Sequence, residues 1–407
     1  MNILLISPYI PYPLSSGGAQ AVFNMIDNLR GIHHYTMVVN EGGQNTRENK
    51  QSLQKLWPNV DIILYPFSKQ LLSPTFVYEK TRRVLLRKFM PQSRLFQMET
   101  TLRPYGEWFS WHHVNFIHDL ISKKQIDMIQ VEFMESLPWV YHLPADIKKV
   151  FVHHELGFIR KERLLANYDL SVKEVHKLKA AKKRELDALE KYDAIITVTD
   201  VDRDILLREG ITRPIYSSNL AVNTKSYPYS VKEKELTFIG GYGHQPNKEG
   251  IDWFISKVSP MLKARNFTLN LIGTHWPVSY NVSKNVVVSL KGFVEDLSDV
   301  ALGSIMIVPI LSGSGMRMKI LEAAAMSLPI VTTTVGVEGL DFINGESCII
   351  ADTPEEFANA IIQLEEDAEK RKKIGESANK VFKSKYSPKV LSDKRNDIYK
   401  QIVEQKF

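Results

Sequence analysis

The sequence has a single cysteine, Cys348, among 407 residues. That excludes an internal disulfide framework and a cysteine-rich zinc site. Cys348 sits in an apolar run and reads as a buried structural thiol, not a nucleophile. Long apolar runs are also missing; none approaches the roughly 20 residues that a membrane span requires. The opening Met-Asn-Ile-Leu-Leu-Ile-Ser-Pro lacks a basic flank, and its apolar run is too short for a signal peptide. A cytoplasmic chain is therefore expected, with peripheral contact on the inner face of the cell membrane as its one route to a bilayer. No very basic segment with interleaved stacking aromatics occurs, so no nucleic-acid partner is expected. The net charge of +6 suits an anionic ligand or an anionic membrane surface. A full GxGxxG fingerprint is absent as well. The loop 8–18 carries only the pair Gly17-Gly18, so no nicotinamide site is read from it.

What is present is ordinary soluble-protein composition, 44% hydrophobic and 24% charged, in a chain long enough for two or three cores. Residues 2–7 read as a buried strand, followed by the Pro- and Gly-containing loop, a helix through Ala19 to about Leu29 and a strand at 35–40. Further strands fit at 60–65, 126–131, 148–153 and 193–198, alternating with helical stretches. That alternation predicts a parallel sheet covered on both faces. Residues 211–235 are polar and Pro-containing, as a linker would be. The plan then repeats: strand 236–240, glycine loop 240–243, helix Gly250 to Leu262, and strands at 268–273, 285–289, 305–310, 329–333 and 347–351. Helices are expected at about 354–366, 368–384 and 387–405. The fold class is α/β, with two Rossmann-like doubly wound domains at 1–215 and 216–385 and a C-terminal helical segment at 386–407. Two such domains imply a cleft faced by both sets of strand C-termini.

One insertion breaks the alternation. Over 77–103, Lys80, Arg82, Arg83, Arg87, Lys88, Arg94 and Arg103 interleave with Val84, Leu85, Leu86, Phe89, Met90, Leu95 and Phe96. A solvated helical insertion and a basic amphipathic segment lying on an anionic bilayer both fit.

Chemistry concentrates at 305–340. An apolar strand leads into the small-residue loop Ser312 to Gly315, then into helix formers at 316–326, with Pro329 just beyond. A glycine loop at a helix N-terminus offers free N–H donors and a favourable dipole to an anionic oxygen. Arg317 and Lys319 add cations, and Glu322 follows Lys319 by about one helical turn. A plain βαβ turn and a diphosphate cradle are both consistent with this stretch alone. The second glycine loop, 240–243 with Gly241, favours the cradle.

These residues resemble a known family. Phe-Ile-Gly-Gly at 238–241, Pro246-Asn247, Asp252-Trp253-Phe254, Gly292-Phe293-Val294 and the run from Pro309 to Gly339 look like the donor domain of retaining glycosyltransferases of family 4, which have the GT-B architecture. Gly313, Gly315 and Lys319 match a branch with Gly-x-Gly-x-x-x-Lys before Leu-Glu-Ala. The opening 4–19 resembles the first strand and loop of the acceptor domain. The resemblance implies an acceptor-binding first domain, a nucleotide-sugar-binding second domain and a C-terminal helix that crosses back onto the first.

The implied activity is sugar transfer, with retention, from a nucleotide-diphosphate sugar to a glycan or lipid-linked acceptor, in bacterial surface polysaccharide biosynthesis. Neither cofactor nor metal is required by that scheme, and no Asp-x-Asp motif lies in a suitable loop. Glu322 matches the second glutamate of the family's E-x7-E motif, which binds the ribose. Ser314 stands where the first glutamate would be. Loop N–H groups of Ser314 and Gly315 then replace it at the sugar or phosphate. That substitution motivates the rival expectation, a catalytically weak sugar-nucleotide-binding protein of the same fold. Lys319 and Arg317, beside Met316, are the expected diphosphate contacts. Phe293 and Val294 either pack on the nucleobase or end a core strand. His154 matches the histidine that reaches into the cleft from the acceptor domain, and Gly17 and Gly18 the loop that approaches the phosphates. Asn219 and Asn223 fall at the expected hinge.

Overall fold

The computed structural model describes residues 1–14, 17–66, 74–90, 93–102, 111–166, 168–219, 222, 227, 229–282, 285–313 and 315–404. It contains two wholly parallel sheets. The first comprises β1 (Asn2–Ile6), β2 (His34–Asn40), β3 (Asp61–Tyr65), β4 (Met128–Glu132), β5 (Lys148–His153), β6 (Ala194–Thr197) and β7 (Ile215–Ser217). Their spatial order is β3-β2-β1-β4-β5-β6-β7. The second comprises β8 (Glu235–Ile239), β9 (Thr268–Ile272), β10 (Val287–Gly292), β11 (Ile305–Val308), β12 (Ile330–Thr332) and β13 (Ile349–Ile350), in the order β10-β9-β8-β11-β12-β13. Both are doubly wound.

The apolar runs become strands because helices cover both faces of each sheet, so most side chains along them must be apolar. In β1, Leu4 and Ile6 enter one core cluster with Ile129, Val131 and Phe151. Ile3 and Leu5 point the other way, into a cluster with Met37, Val39, Val150 and Val152. That is the period-two alternation of a strand. The second cluster also takes Ile398, Tyr399 and Ile402 from the last helix, Pro388–Glu404. The final helix therefore packs on the first sheet, against the helix Gly17–Leu29. The second domain's core draws in Ala21 and Val198 from the first.

Two stretches differ from expectation. The linker 211–235 contains β7, which pairs with β6 and places the expected junction at 215 inside a strand. Three residues with a polar end give too little pattern to read. The helix expected from Gly250 to Leu262 instead begins at Gln245 and leaves α geometry after Trp253. It continues as a π turn, Phe254–Val258, then as a 3₁₀ turn, Ser259–Arg265, that ends on left-handed Asn266. Pro260 has no N–H to give, so the α ladder cannot run through it. The insertion 77–103 forms the helices Pro74–Phe89 and Arg94–Thr101. The side chains of Lys80, Arg83, Arg87 and Leu95, and all of Arg103, lie outside the described residues. Among the described residues no helix is long and apolar enough to cross a membrane.

Candidate active site

In each sheet the winding reverses between the first strand and its central neighbour: β1 beside β4, and β8 beside β11. Chain connections leave such a point in opposite directions and open a crevice at the strand C-termini. The two crevices face each other across one cavity of about 590 Å³. Tyr9, Gly17 and Gly18 after β1 and Phe133 after β4 line it from one side. Gly240 and Gly241 after β8 and Gly315, Arg317 and Lys319 after β11 line it from the other. The cavity lies in the size range of ligand pockets, about 300–1,000 Å³.

Asn247 joins the two glycine loops. Its Oδ1 accepts from Lys319 Nζ at 2.7 Å, and its Nδ2 donates to the Gly241 carbonyl at 3.0 Å. Gly240 has φ +149°, and a Cβ there would meet Asn247 Nδ2 at 2.5 Å, so the close approach needs glycine. Lys319 Nζ also sits 4.0 Å from the Phe238 ring centroid. Burial pulls the Lys319 ammonium down to about 7; Arg317 adds repulsion, and Glu322 opposes both. Glu322 is 5% exposed on the helix Met318–Ala325. Burial pushes its carboxyl up to about 7, against Lys319 and a hydrogen bond from Gln20. One buried cation and one buried carboxylate thus lie in the same wall, each poorly solvated until a ligand of complementary charge arrives.

The loop before that helix is held from behind. Arg317 Nη1 donates to the Gly315 carbonyl at 2.7 Å. Arg163, from the helix Gly157–Leu165, donates to the Gly313 carbonyl and grips Glu338 with both terminal nitrogens, at 2.7 and 2.8 Å. Gly315 has φ +79°, and a Cβ there would lie 2.4 Å from the His154 carbonyl oxygen. The two domains therefore meet at the loop itself.

His154 follows β5 and lines the cavity. Its Nε2 pairs with Glu132 Oε2 at 2.5 Å, and its ring stacks on Phe133 at 4.0 Å between centroids. Its neighbour His153 is a core residue, 1% exposed and paired with Glu185 at 3.1 Å. Of the expected site residues, the cavity gathers Gly17, Gly18, Gly241, His154, Phe293, Val294, Gly315, Met316, Arg317, Lys319 and Glu322. Gly313 is buried and is not one of the residues that line the cavity. Ser314 and Asn223 lie outside the described residues. Phe293 is 49% exposed at the cavity edge, which favours a ligand contact over a core strand end. Arg317 turns its guanidinium to its own loop, and Lys248 pairs with Asp252. Asn219 donates to the Val198 carbonyl at 2.9 Å.

Residue reasoning missed Glu132, Phe133, Arg163 and the roles of Asn247 and Glu338. Glu132 carried a signal: a carboxylate ending a largely buried strand, two residues after Gln130, beside the switch point. Among the described residues no group of three or more His, Cys, Asp or Glu could hold a metal ion.

Comparison with known proteins agrees with this architecture. A family model described as glycosyl transferases group 1 matches residues 233–367. An uncharacterised 44.6 kDa protein in the cps region of Klebsiella pneumoniae is 21% identical, over 96% of this chain and 98% of that protein. The solved sucrose-phosphate synthase of Thermosynechococcus elongatus superposes with a TM-score of 0.70 at 16% identity, covering 99% of both chains. A mutant of S. aureus TarM, solved with fondaparinux, alpha-GlcNAc-glycerol and UDP, superposes with a TM-score of 0.69 at 13% identity, covering 100% of both. The chain is a glycosyltransferase of GT-B fold, with a glycosyl transferases group 1 domain in its second half.

Proposed function

We propose that the chain is a retaining transferase of the family 4 type. It moves a sugar from a nucleotide-diphosphate sugar to a glycan or lipid-linked acceptor in surface polysaccharide assembly. One observation carries this reading: a glycine loop, a buried lysine and a buried glutamate from the second sheet meet a histidine from the first in a single cavity. Loop N–H groups and Lys319 would hold the diphosphate and take up the charge that develops as it leaves. Glu322 would accept from the ribose hydroxyls, and Phe293 and Val294 would cover the base. His154 would approach the transferred sugar. In this scheme the leaving phosphate takes the acceptor proton, and the acceptor attacks from the same face. Closure of the domains keeps water from the donor. The cps setting of the Klebsiella relative and the UDP bound by TarM support the pathway and the donor class.

The helix Pro74–Phe89 supports a peripheral membrane contact. It exposes Tyr78, Val84, Leu85 and Phe89, with Lys88 beside Phe89 and Met90 just beyond its end. Salt-sensitive binding to phosphatidylglycerol vesicles is expected. Binding indifferent to salt and to lipid charge would return the segment to a solvated insertion.

The main test is a thermal-shift screen against UDP-, GDP-, ADP- and CDP-glucose, followed by NMR of the product's anomeric centre. One nucleotide should raise the melting point by mass action, and the product should keep the donor's anomeric configuration. Inverted product would sink the retaining mechanism. Tight binding without transfer or hydrolysis would favour the catalytically weak binder that Ser314 suggests.

A further inference from the structure

We propose that Glu132 is a positioning residue for His154, and that it ends a buried hydrogen-bonded chain fixing which ring nitrogen faces the cleft. This rests on the reading of His154 as a cleft residue in sugar transfer. Gln130 and Glu132 lie two residues apart on β4 and so share one face of the strand; both are fully buried. An apolar pair would suit that core better, since a buried carboxylate is costly unless every lone pair is used. Here each oxygen is used. Gln130 Nε2 donates to one, and His154 Nε2 donates to the other. The Gln130 oxygen accepts from the Tyr399 hydroxyl at 2.5 Å.

The chain of donors runs one way. The phenol fixes the orientation of the Gln130 amide, and the amide makes Glu132 an acceptor. Glu132 in turn requires a hydrogen on His154 Nε2. Nδ1 has no hydrogen-bond partner among the described residues, and it is the ring nitrogen left for a substrate. Phe133 closes the arrangement. It holds φ +65°, a region that bulky residues avoid, and its ring lies within 12° of parallel to the imidazole.

Tyr399 belongs to the helix Pro388–Glu404, which begins beyond the second domain and docks on the first. One turn earlier, Arg395 donates to Ser218 Oγ at 2.9 Å, just past β7. Correct docking of the last helix is therefore sensed at the cleft histidine.

The test uses the full chain. Nitrogen-15 NMR of the His154 ring without ligand should show Nε2 protonated and Nδ1 bare in the wild type. Glu132→Gln and Tyr399→Phe should each mix the tautomers. With whichever of UDP-, GDP-, ADP- or CDP-glucose gives the largest melting shift, Glu132→Gln should lower kcat for nucleotide release by about 10- to 100-fold, as misplaced groups do. Tyr399→Phe should lower it by about 2- to 10-fold, the worth of one hydrogen bond. Nucleotide affinity should stay within about twofold, and Glu132→Gln should add nothing in a His154→Ala background. If His154→Ala slows release while both other variants keep the wild-type tautomer and rate, the positioning role is wrong. If His154→Ala is itself silent, the underlying reading of the cleft fails, and the inference with it. Should Glu132→Gln not fold, Tyr399→Phe carries both readouts.

Discussion

Replacing Arg163 with alanine should open the molecule. Arg163 stands on the first domain and Glu338 on the second, and their two charged hydrogen bonds of 2.7 and 2.8 Å cross the cleft. Charged hydrogen bonds are worth about 1.5–3 kcal/mol when protected. The side chains are 31% and 28% exposed, so solvent and salt reduce this to about 1–2 kcal/mol. That is a shift of about 5- to 30-fold in the ratio of closed to open forms, at about tenfold per 1.4 kcal/mol. If the donor binds the closed form, its apparent affinity falls by up to the same factor once the open form dominates. Small-angle scattering should report a larger radius of gyration for Arg163→Ala than for the wild type, and 1 M salt should bring the two together. Glu338→Gln should behave similarly, and the double variant should be no worse than either single one. Strictly additive effects in that cycle, or an unchanged radius at low salt, would refute the latch.

Two further outcomes follow from the cavity wall. Burial raises Glu322 from 4.5 to about 7 and lowers Lys319 from 10.5 to about 7. The folded state therefore binds the extra Glu322 proton between about 4.5 and 7, and stability falls as pH rises through that window. The unfolded chain binds the extra Lys319 proton between about 7 and 10.5, so stability recovers there. Glu322→Gln should flatten the first limb of a melting-temperature profile and Lys319→Met the second; unchanged limbs would contradict the burial argument. Gly315→Ala combines a φ of +79° with a Cβ 2.4 Å from the His154 carbonyl. It should leave the melting temperature within a few degrees while reducing transfer at least tenfold, since about 1–2 kcal/mol of backbone strain falls on the loop; wild-type turnover would show that the loop does not need this shape.

Most strands were legible because a parallel strand covered on both faces is mostly apolar: β11 is so throughout, and β1 and β8 depart from it only at Asn2, Glu235 and Thr237. β7 was not, since three residues carry no period. The helix Gln245–Trp253 begins five residues before the expected Gly250. Gly250 lies within the helix, and its Cβ would come 2.1 Å from the Pro309 carbonyl, so glycine there permits packing. The glycine loops, His154 and Lys319 could be found because each marks a strand end or a helix start, and Glu322 because it falls on the glutamate of the family's motif. Glu132, Asn247 and Arg163 could not be placed so easily. Each acts through a partner more than 20 residues away, and no local pattern records that pairing.

The arginines near the loop change how an anion would be held. On sequence, Arg317 and Lys319 are both expected as diphosphate contacts. In three dimensions Arg317 donates to the Gly315 carbonyl, while Arg163 takes that of Gly313. Arg317 also lies among Glu155, Glu338 and Asp202, whose charges offset its own. Both guanidinium groups thus bind the carbonyl side of the loop. What remains for a diphosphate is the N–H side and the Lys319 ammonium, which Asn247 steers from the neighbouring loop. Such a grip depends on the first domain, because Arg163 and the His154 carbonyl both come from it. The shape of this loop and the contact between the two domains are then coupled, and a ligand that favours one must favour the other.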